Sequence, residues 1–164
     1  MSTLAARLVI EALADLEPDA PHSQTIGHAV ENAPGGRAWR QGTARGEVDR
    51  VYLEANTLSS GDSKTYDLKL AGGLKDVLGQ TIDADELKGL AIKCAVGQVT
   101  VDGSASGTLP FFETNNHGVV LSAGHTMAVD FGSVGLDVTT AANLRVTETA
   151  STSSSYTIWF IVAQ

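Results

Sequence analysis

The sequence predicts an all-β protein: an antiparallel β-sandwich of jelly-roll type, preceded by a short N-terminal helix and an extended arm. Three observations predict it. From residue 47 onward, short runs alternate apolar with polar or small residues at period two, the signature of half-buried strands. The connections between these runs are too short to hold crossover helices, so neighbouring strands pair antiparallel. The chain closes on YTIWFIVA (residues 156–163), which is apolar on both faces. Such a strand is either central in a sheet with both faces covered or in contact with another subunit.

Residues 3–17 read as a short amphipathic helix, with Leu4, Leu8, Ala12 and Leu13 on one side together with Val9 and Leu16. Ser2 or Thr3 caps it and Pro18 lies just beyond its end. A helix this short needs something to dock against, either the chain's own sheet or another subunit. Residues 18–46 show no period and are punctuated by Pro18, Pro21, Pro34, Gly35, Gly36 and Gly42, which predicts an arm. Trp39, between Arg37 and Arg40, either anchors this arm on a neighbour or plugs one end of the chain's own core. Residues 1–46 thus form a helix and arm, and residues 47–164 form the sandwich.

Within the sandwich, VYLEANTL sets Val51, Leu53 and Ala55 against Tyr52, Glu54 and Asn56, and SSGDS turns the chain. KTYDLKL puts Tyr66, Leu68 and Leu70 on one face. A loop follows, with one helical turn expected over Leu74–Leu78. ELKGLAIKCAV is a strongly apolar strand, QVTVDG follows it closely, and Asp102-Gly103 signals a tight turn. Further strands are expected near 119–122, 126–131, 134–139, 143–149 and 156–163.

The chain of 164 residues is long enough for one domain with a substantial core plus an extra segment. Charged residues make up only 18% while Ser, Thr and Gly abound, which suits a surface that packs against other protein. The net charge of −8 disfavours nucleic acid, since the only basic grouping is Arg37, Arg40 and Arg45. MSTLAARLVIEALADLEPDA carries Glu11 and Asp15 in its apolar stretch and does not read as a secretory signal. No apolar run reaches the roughly 20 residues that span a bilayer. Synthesis and assembly in a cytoplasm, without membrane contact, are expected.

Candidate chemistry is sparse. GDSK at Gly61–Lys64 resembles the start of a hydrolase nucleophile motif, but Ser63 opens a strand after a turn, and Gly-Asp-Ser is ordinary turn chemistry. His22, His28, His117 and His125 lack the close pairing of metal ligands. Asp83, Asp85 and Glu86 hold only a fragment of a calcium-loop pattern. The lone Cys94 reads as a small buried hydrophobe. The Ser/Thr run of residues 149–155 reads as a solvated hairpin. No catalytic residue, metal ligand or cofactor is predicted.

A resemblance adds to this reading. Tyr66-Asp67-Leu68, Gly72-Gly73-Leu74, Asp76 and Leu78-Gly79-Gln80-Thr81 are followed by the Val99-Thr100-Val101-Asp102-Gly103 hairpin and the pair Phe111-Phe112. Then come the Ala123-Gly124 turn, Leu136-Asp137-Val138-Thr139, Ala142-Asn143-Leu144-Arg145-Val146 and Tyr156-Thr157-Ile158. Over residues 47–164 this pattern resembles small β-sandwich virion structural proteins of tailed bacteriophages, the head-decoration and minor capsid components. The resemblance implies a non-enzymatic cement protein on the virion head surface, binding the major capsid protein and other virion proteins as a trimer or dimer. Leu4, Leu8, Leu13, Arg37, Trp39, Arg40 and Trp159 are the candidate contacts with coat or sister subunits. The alternative is a receptor- or glycan-binding module of a head or tail fibre, using loops 104–118 and 149–155; exposure of Phe111 and Phe112 favours it.

Overall fold

The computed structural model describes residues 12–14, 26–28, 38–41, 47–48, 50–76, 79–103, 107–112, 118–140 and 142–164. Among them, β1 (Ala12–Ala14), β2 (Ile26–His28), β3 (Ala38–Gln41) and β4 (Glu47–Val48) form a small sheet in that order. The remaining strands are β5 (Arg50–Leu58), β6 (Ser63–Asp67), β7 (Glu86–Val96), β8 (Gln98–Gly103), β9 (Gly118–Ser122), β10 (Thr126–Asp130), β11 (Leu136–Asp137), β12 (Asn143–Glu148) and β13 (Ser154–Ala163). They build two facing antiparallel sheets, β5-β13-β7-β10 with β11 added to β7, and β6-β12-β8-β9.

Numbering the eight principal strands of the sandwich by chain order gives 1-8-3-6 in one sheet and 2-7-4-5 in the other. This interleaving is the double Greek key of a jelly roll. The final strand β13 is central, paired with β5 from Ser154↔Leu58 to Val162↔Arg50 and with β7 on its other side. Its inner face presents Tyr156, Ile158, Phe160 and Val162, all buried. Across the interior lie Tyr66 of β6, Leu144 and Val146 of β12, Val99 and Val101 of β8 and Leu121 of β9, in the same core cluster. Fully burying each such aliphatic or aromatic side chain contributes about 1.5–3 kcal/mol.

Two bulges in the β13–β7 pairing leave Ala95 and Lys88 opposite no residue of β13. The second lets Leu87 share the inner face with Leu90 and leaves Lys88 fully buried, donating to the carbonyls of Ser133 and Val134 at 2.9 Å each. The chain passes from β7 to β8, and so between the sheets, at Gly97. It holds φ +73°, and a Cβ there would stand 2.2 Å from Ser154 Oγ. Only glycine meets both demands. The buried Ser154 hydroxyl in turn accepts from the Gln98 N–H at 3.0 Å, locking the corner.

Several local expectations are corrected. The helix expected over 3–17 is strand where the structure describes it: Ala12–Ala14 pair antiparallel with β2. The rest of that helix lies outside the described residues. An isolated short helix has no tertiary partner to offset its nucleation cost, whereas pairing satisfies the same backbone groups on a neighbour. The arm contributes β2 and β3. Of the helical turn expected over Leu74–Leu78, residues 77 and 78 lie outside the described residues, and 74–76 are not helical: Lys75 forms an antiparallel bridge with Thr81, and Gly79 N–H donates to Asp76 O at 2.9 Å. The 3-10 turn comes earlier, at Leu70–Gly72. Asp102-Gly103 is not a tight turn but the end of β8, held in register by Arg145 and Leu144 of β12. Of the strand expected over 134–139, only Leu136–Asp137 pairs.

Because β13 is central, truncating its core side chain is expected to be costly. Phe160→Ala should lose about 3–5 kcal/mol in urea unfolding, while Val96→Ala, exposed on the same sheet, should stay within about 0.5 kcal/mol. Similar losses for the two variants would contradict the packing.

Candidate functional site: an internal tyrosine-carboxylate cluster and apolar outer surfaces

The one alternation whose inward face surprises is that of β5. Tyr52, Glu54, Asn56 and Leu58 turn into the sandwich, while Val51, Leu53 and Ala55 turn outward. Register shows this directly: Tyr52 pairs with Phe160 and Glu54 with Ile158, both inner residues of β13. There Tyr66 O–H and Tyr156 O–H stand 2.8 Å apart, and Tyr66 donates to Glu54 Oε2 at 2.9 Å. Lys64 Nζ donates to both Glu54 oxygens at 2.6 and 2.8 Å, and Asn56 Nδ2 reaches Tyr156 O–H at 3.4 Å. The Tyr52, Tyr66 and Phe160 rings pack around this cluster with centroids 5.7–6.0 Å apart.

The electrostatics make the cluster an anchor rather than a poised acid–base pair. Burial raises the Glu54 pKa, but hydrogen bonds from Lys64, Tyr66 and Tyr52 outweigh it, and the carboxyl titrates below its usual range. Burial pushes Tyr66 and Tyr52 well above the ordinary phenol value and raises Tyr156 as well, so all three stay protonated as donors. The lysine and tyrosine donors occupy the Glu54 oxygens, and no deprotonated phenol is on hand as a nucleophile.

The remaining sequence candidates are absorbed by structure. Asp83 and Asp85 both pair with Lys69 Nζ, at 3.1 and 3.0 Å, and Glu86 pairs with Lys88. Among the described residues no three His, Cys, Asp or Glu side chains gather as a metal site. Ser63 opens β6 just after a turn closed by Asp62 N–H to Ser59 O at 3.0 Å. Cys94 is fully buried, and burial raises its thiol pKa, which leaves it inert. His22 and His117 lie outside the described residues. Asp102 binds Arg145 through two 2.9 Å hydrogen bonds on the outer face of the second sheet.

Glu148 closes one end of the sandwich. Its carboxylate accepts from Gly61 N–H at 2.8 Å and Ala150 N–H at 2.5 Å, tying the β5–β6 turn to the β12–β13 loop. The Gly61 N–H is the leading cause that holds this carboxyl below its usual pKa.

The surfaces are less satisfied. On the outer face of β5-β13-β7-β10, one cross-strand row is Leu53, Trp159, Ala91 and Ala128, and the next is Val51, Ile161, Gly89 and Asp130. Leu53 is 50% exposed and Trp159 is half-buried. At the opposite edge of the sandwich, β9 leaves Val119 38% and Val120 55% exposed. Phe111 is 40% exposed and packs edge-on against Phe112 and Phe131, while Phe112 is buried.

Of the expected contact residues, Leu4, Leu8 and Arg37 lie outside the described residues. Leu13 is on β1, Trp39 and Arg40 are on β3, and Trp159 is on the outer face of the central strand. Leu13 therefore does not share a helical stripe with Leu4 and Leu8 as expected, since β1 is extended. Sequence reasoning missed Leu53 and the β9 valines as surface residues. Neither was legible: period two in β5 does not say which of its faces turns inward, and an edge cannot be told from a centre by alternation.

No family model matches the chain, and no curated protein matches it. Among solved structures, the chain is similar to the cupin domain of Drosophila melanogaster CENP-C, with 13% identity over 88% of this chain and 83% of that one and a TM-score of 0.37. An oxalate oxidase is similar at 14% identity over 93% and 76%, TM-score 0.37. A chain from the crystal structure of tomato aspermy virus is similar at 7% over 70% and 78%, TM-score 0.35. Likenesses this distant carry no functional argument; the jelly-roll assignment rests on the strand order itself. Among the described residues, no helix is long and apolar enough to cross a membrane.

Tyr66→Phe leaves the Glu54 and Tyr156 oxygens short of a partner and should cost about 1–3 kcal/mol in urea unfolding; an unchanged midpoint would rule the cluster out as an anchor. Glu54 has a depressed pKa in the folded state, so its contribution is complete above the unfolded value of about 4.3 and is lost as pH falls through the lower folded value. Thermal melts should therefore show wild type losing its advantage over Glu54→Gln between about pH 5 and pH 3. An advantage that is constant across that range would contradict the assignment.

Proposed function

We propose that the chain is a non-enzymatic structural component of a virion, a head-decoration protein that binds the major capsid protein and stabilises the head. It acts as a homo-oligomer, a trimer or dimer, on the head surface. The observation that carries this reading is edge strand β9. Its sequence GVVLS holds no charge and no proline, and it exposes Val119 and Val120 on its two faces. Sheet edges are ordinarily guarded by charges, prolines or a covering segment, because an open edge invites pairing with another chain. Among the described residues no strand pairs with the outer side of β9, and such an apolar edge suits another subunit. The low charge content and the sequence resemblance support the same reading. Leu4, Leu8, Arg37 and Arg40 are further candidate coat contacts.

The receptor- or glycan-binding reading keeps one observation in its favour, the exposed ring of Phe111. The buried Phe112 removes the second ring that a stacking platform would use.

Co-sedimentation of the purified protein with coat shells lacking it separates the two. The decoration reading expects saturable binding that Val120→Asp weakens at least about tenfold and Phe111→Ser leaves unchanged. Absence of shell binding, together with glycan-array binding that Phe111→Ser abolishes, would overturn it.

A further inference from the structure

Glu148 ends β12 and is 3% exposed, yet the two segments it holds are not buried. Residues 59–62 of the β5–β6 turn are exposed, and so are residues 149–153 of the β12–β13 loop apart from the half-buried Ala150. Gly61 N–H donates to Oε2 of Glu148 at 2.8 Å and Ala150 N–H to Oε1 at 2.5 Å. The Thr152 N–H also reaches the carboxylate, and Ser154 Oγ lies 3.3 Å from Oε1. Between Ala150 and Thr152 stands Ser151 at φ +60°, alone among the described non-glycine residues in holding a positive φ. That conformation is unfavourable for a residue with a Cβ. Here it lies between two amides that share one anion, the shape of an anion-binding nest.

We propose that Glu148 is an acid-sensitive clasp: its carboxylate holds the tips of this loop and this turn together, and its protonation frees them while the two sheets stay paired. A carboxylate offers acceptors only, and here its oxygens take backbone donors from segments nearly ninety residues apart. A carboxylic acid carries an O–H, which would face one of those N–H groups and displace it. Neither tip brings a buried apolar side chain with which to stay closed, and segments of that kind open locally at little cost. Opening ends where other bonds begin. Glu148 N–H donates to Asp62 O at 2.9 Å, Thr149 N–H to Gln98 O at 3.1 Å, and Ser154 Oγ bonds both the N–H and the carbonyl of Gln98 at 3.0 Å. The donors, Gly61 N–H first, hold the Glu148 carboxyl below its usual range. A group lowered in this way stabilises the closed form above the unfolded value of about 4.3, and the effect is lost as pH falls through the lower folded value. Of the segments packed on the carboxylate, the turn brings one ionisable side chain, the exposed Asp62, while residues 97–98 and 149–154 bring none; Lys64, next along β6, is engaged by Glu54. The inference stands apart from the virion reading.

Amide hydrogen exchange, followed by NMR on the full chain, tests it. Protection at Gly61, Ala150 and Thr152, corrected for the intrinsic rate at each pH, should fall up to about tenfold per pH unit below about pH 4, as the uptake of one proton requires. Leu144 and Val146 in the middle of β12 should keep theirs. In Glu148→Gln the three tip amides should be unprotected already at neutral pH and indifferent to acid, and Asp62→Asn should leave the wild-type profile in place. Tip protection that does not change from neutral pH to about pH 3, or a loss that Asp62→Asn abolishes, would overturn the proposal. A loss at Leu144 and Val146 in step with the tips would overturn it as well, because the whole sandwich would then be opening. The pH series is read on the wild-type chain, so the outcome does not depend on the folding of Glu148→Gln.

Discussion

The placement of the last strand between β5 and β7 governs the rest of the structure. β13 forms ladders along nearly its whole length on both sides, with partners about sixty to a hundred and ten residues earlier in the chain. Its inner side chains share one core cluster with side chains from all four strands of the opposite sheet. Until β13 is in place, β5 has no partner in its own sheet, and both sheets lack the side chains that fill the space between them. Formation of the sandwich is thus tied to contacts of long sequence separation, which carry a loop-closure cost and make such folds slow to assemble.

Charge is handled inside the sandwich with little slack. Glu54, the one carboxylate on the inner face of β5, is met by Lys64 and Tyr66 from the facing strand β6, so the two sheets are joined there by polar bonds as well as by packing. Glu148 does comparable work at the loop end, and Lys88 fills a bulge with its ammonium on backbone carbonyls. Each group is buried or part-buried and each is hydrogen-bonded, the condition under which such groups are tolerated. In each case the polar group is engaged as a tie between segments of the fold.

The surface divides into two apolar regions with different neighbours. On the outer face of the first sheet, Val48 packs with Val51 and Ile161, one row from the exposed Leu53. The β9 edge and Phe111 lie on the second sheet and its loops, where no described segment continues onto them. Pairing along an edge needs no cavity and no cofactor, only backbone groups and a few apolar side chains.

Alternation and connection length in the sequence determined that this is an antiparallel sandwich, and the doubly apolar run Tyr156–Ala163 pointed to a last strand at the centre of a sheet. Those properties are written locally, in period two and in side-chain polarity. Which face of β5 turns inward was not, because polarity alone favours burying Val51, Leu53 and Ala55. Only the meeting of Tyr52, Glu54 and Tyr66 with Tyr156 and Phe160 reverses it, by supplying partners that the local sequence does not contain. The strand at Ala12–Ala14 was hidden for the same reason: its spacing fits a helix, and a pairing partner fourteen residues away decides otherwise. Which apolar residues remain open, Val120 and Leu53 among them, depends on which strands become edges and which faces acquire cover, and that is settled only when the strands take their order in space.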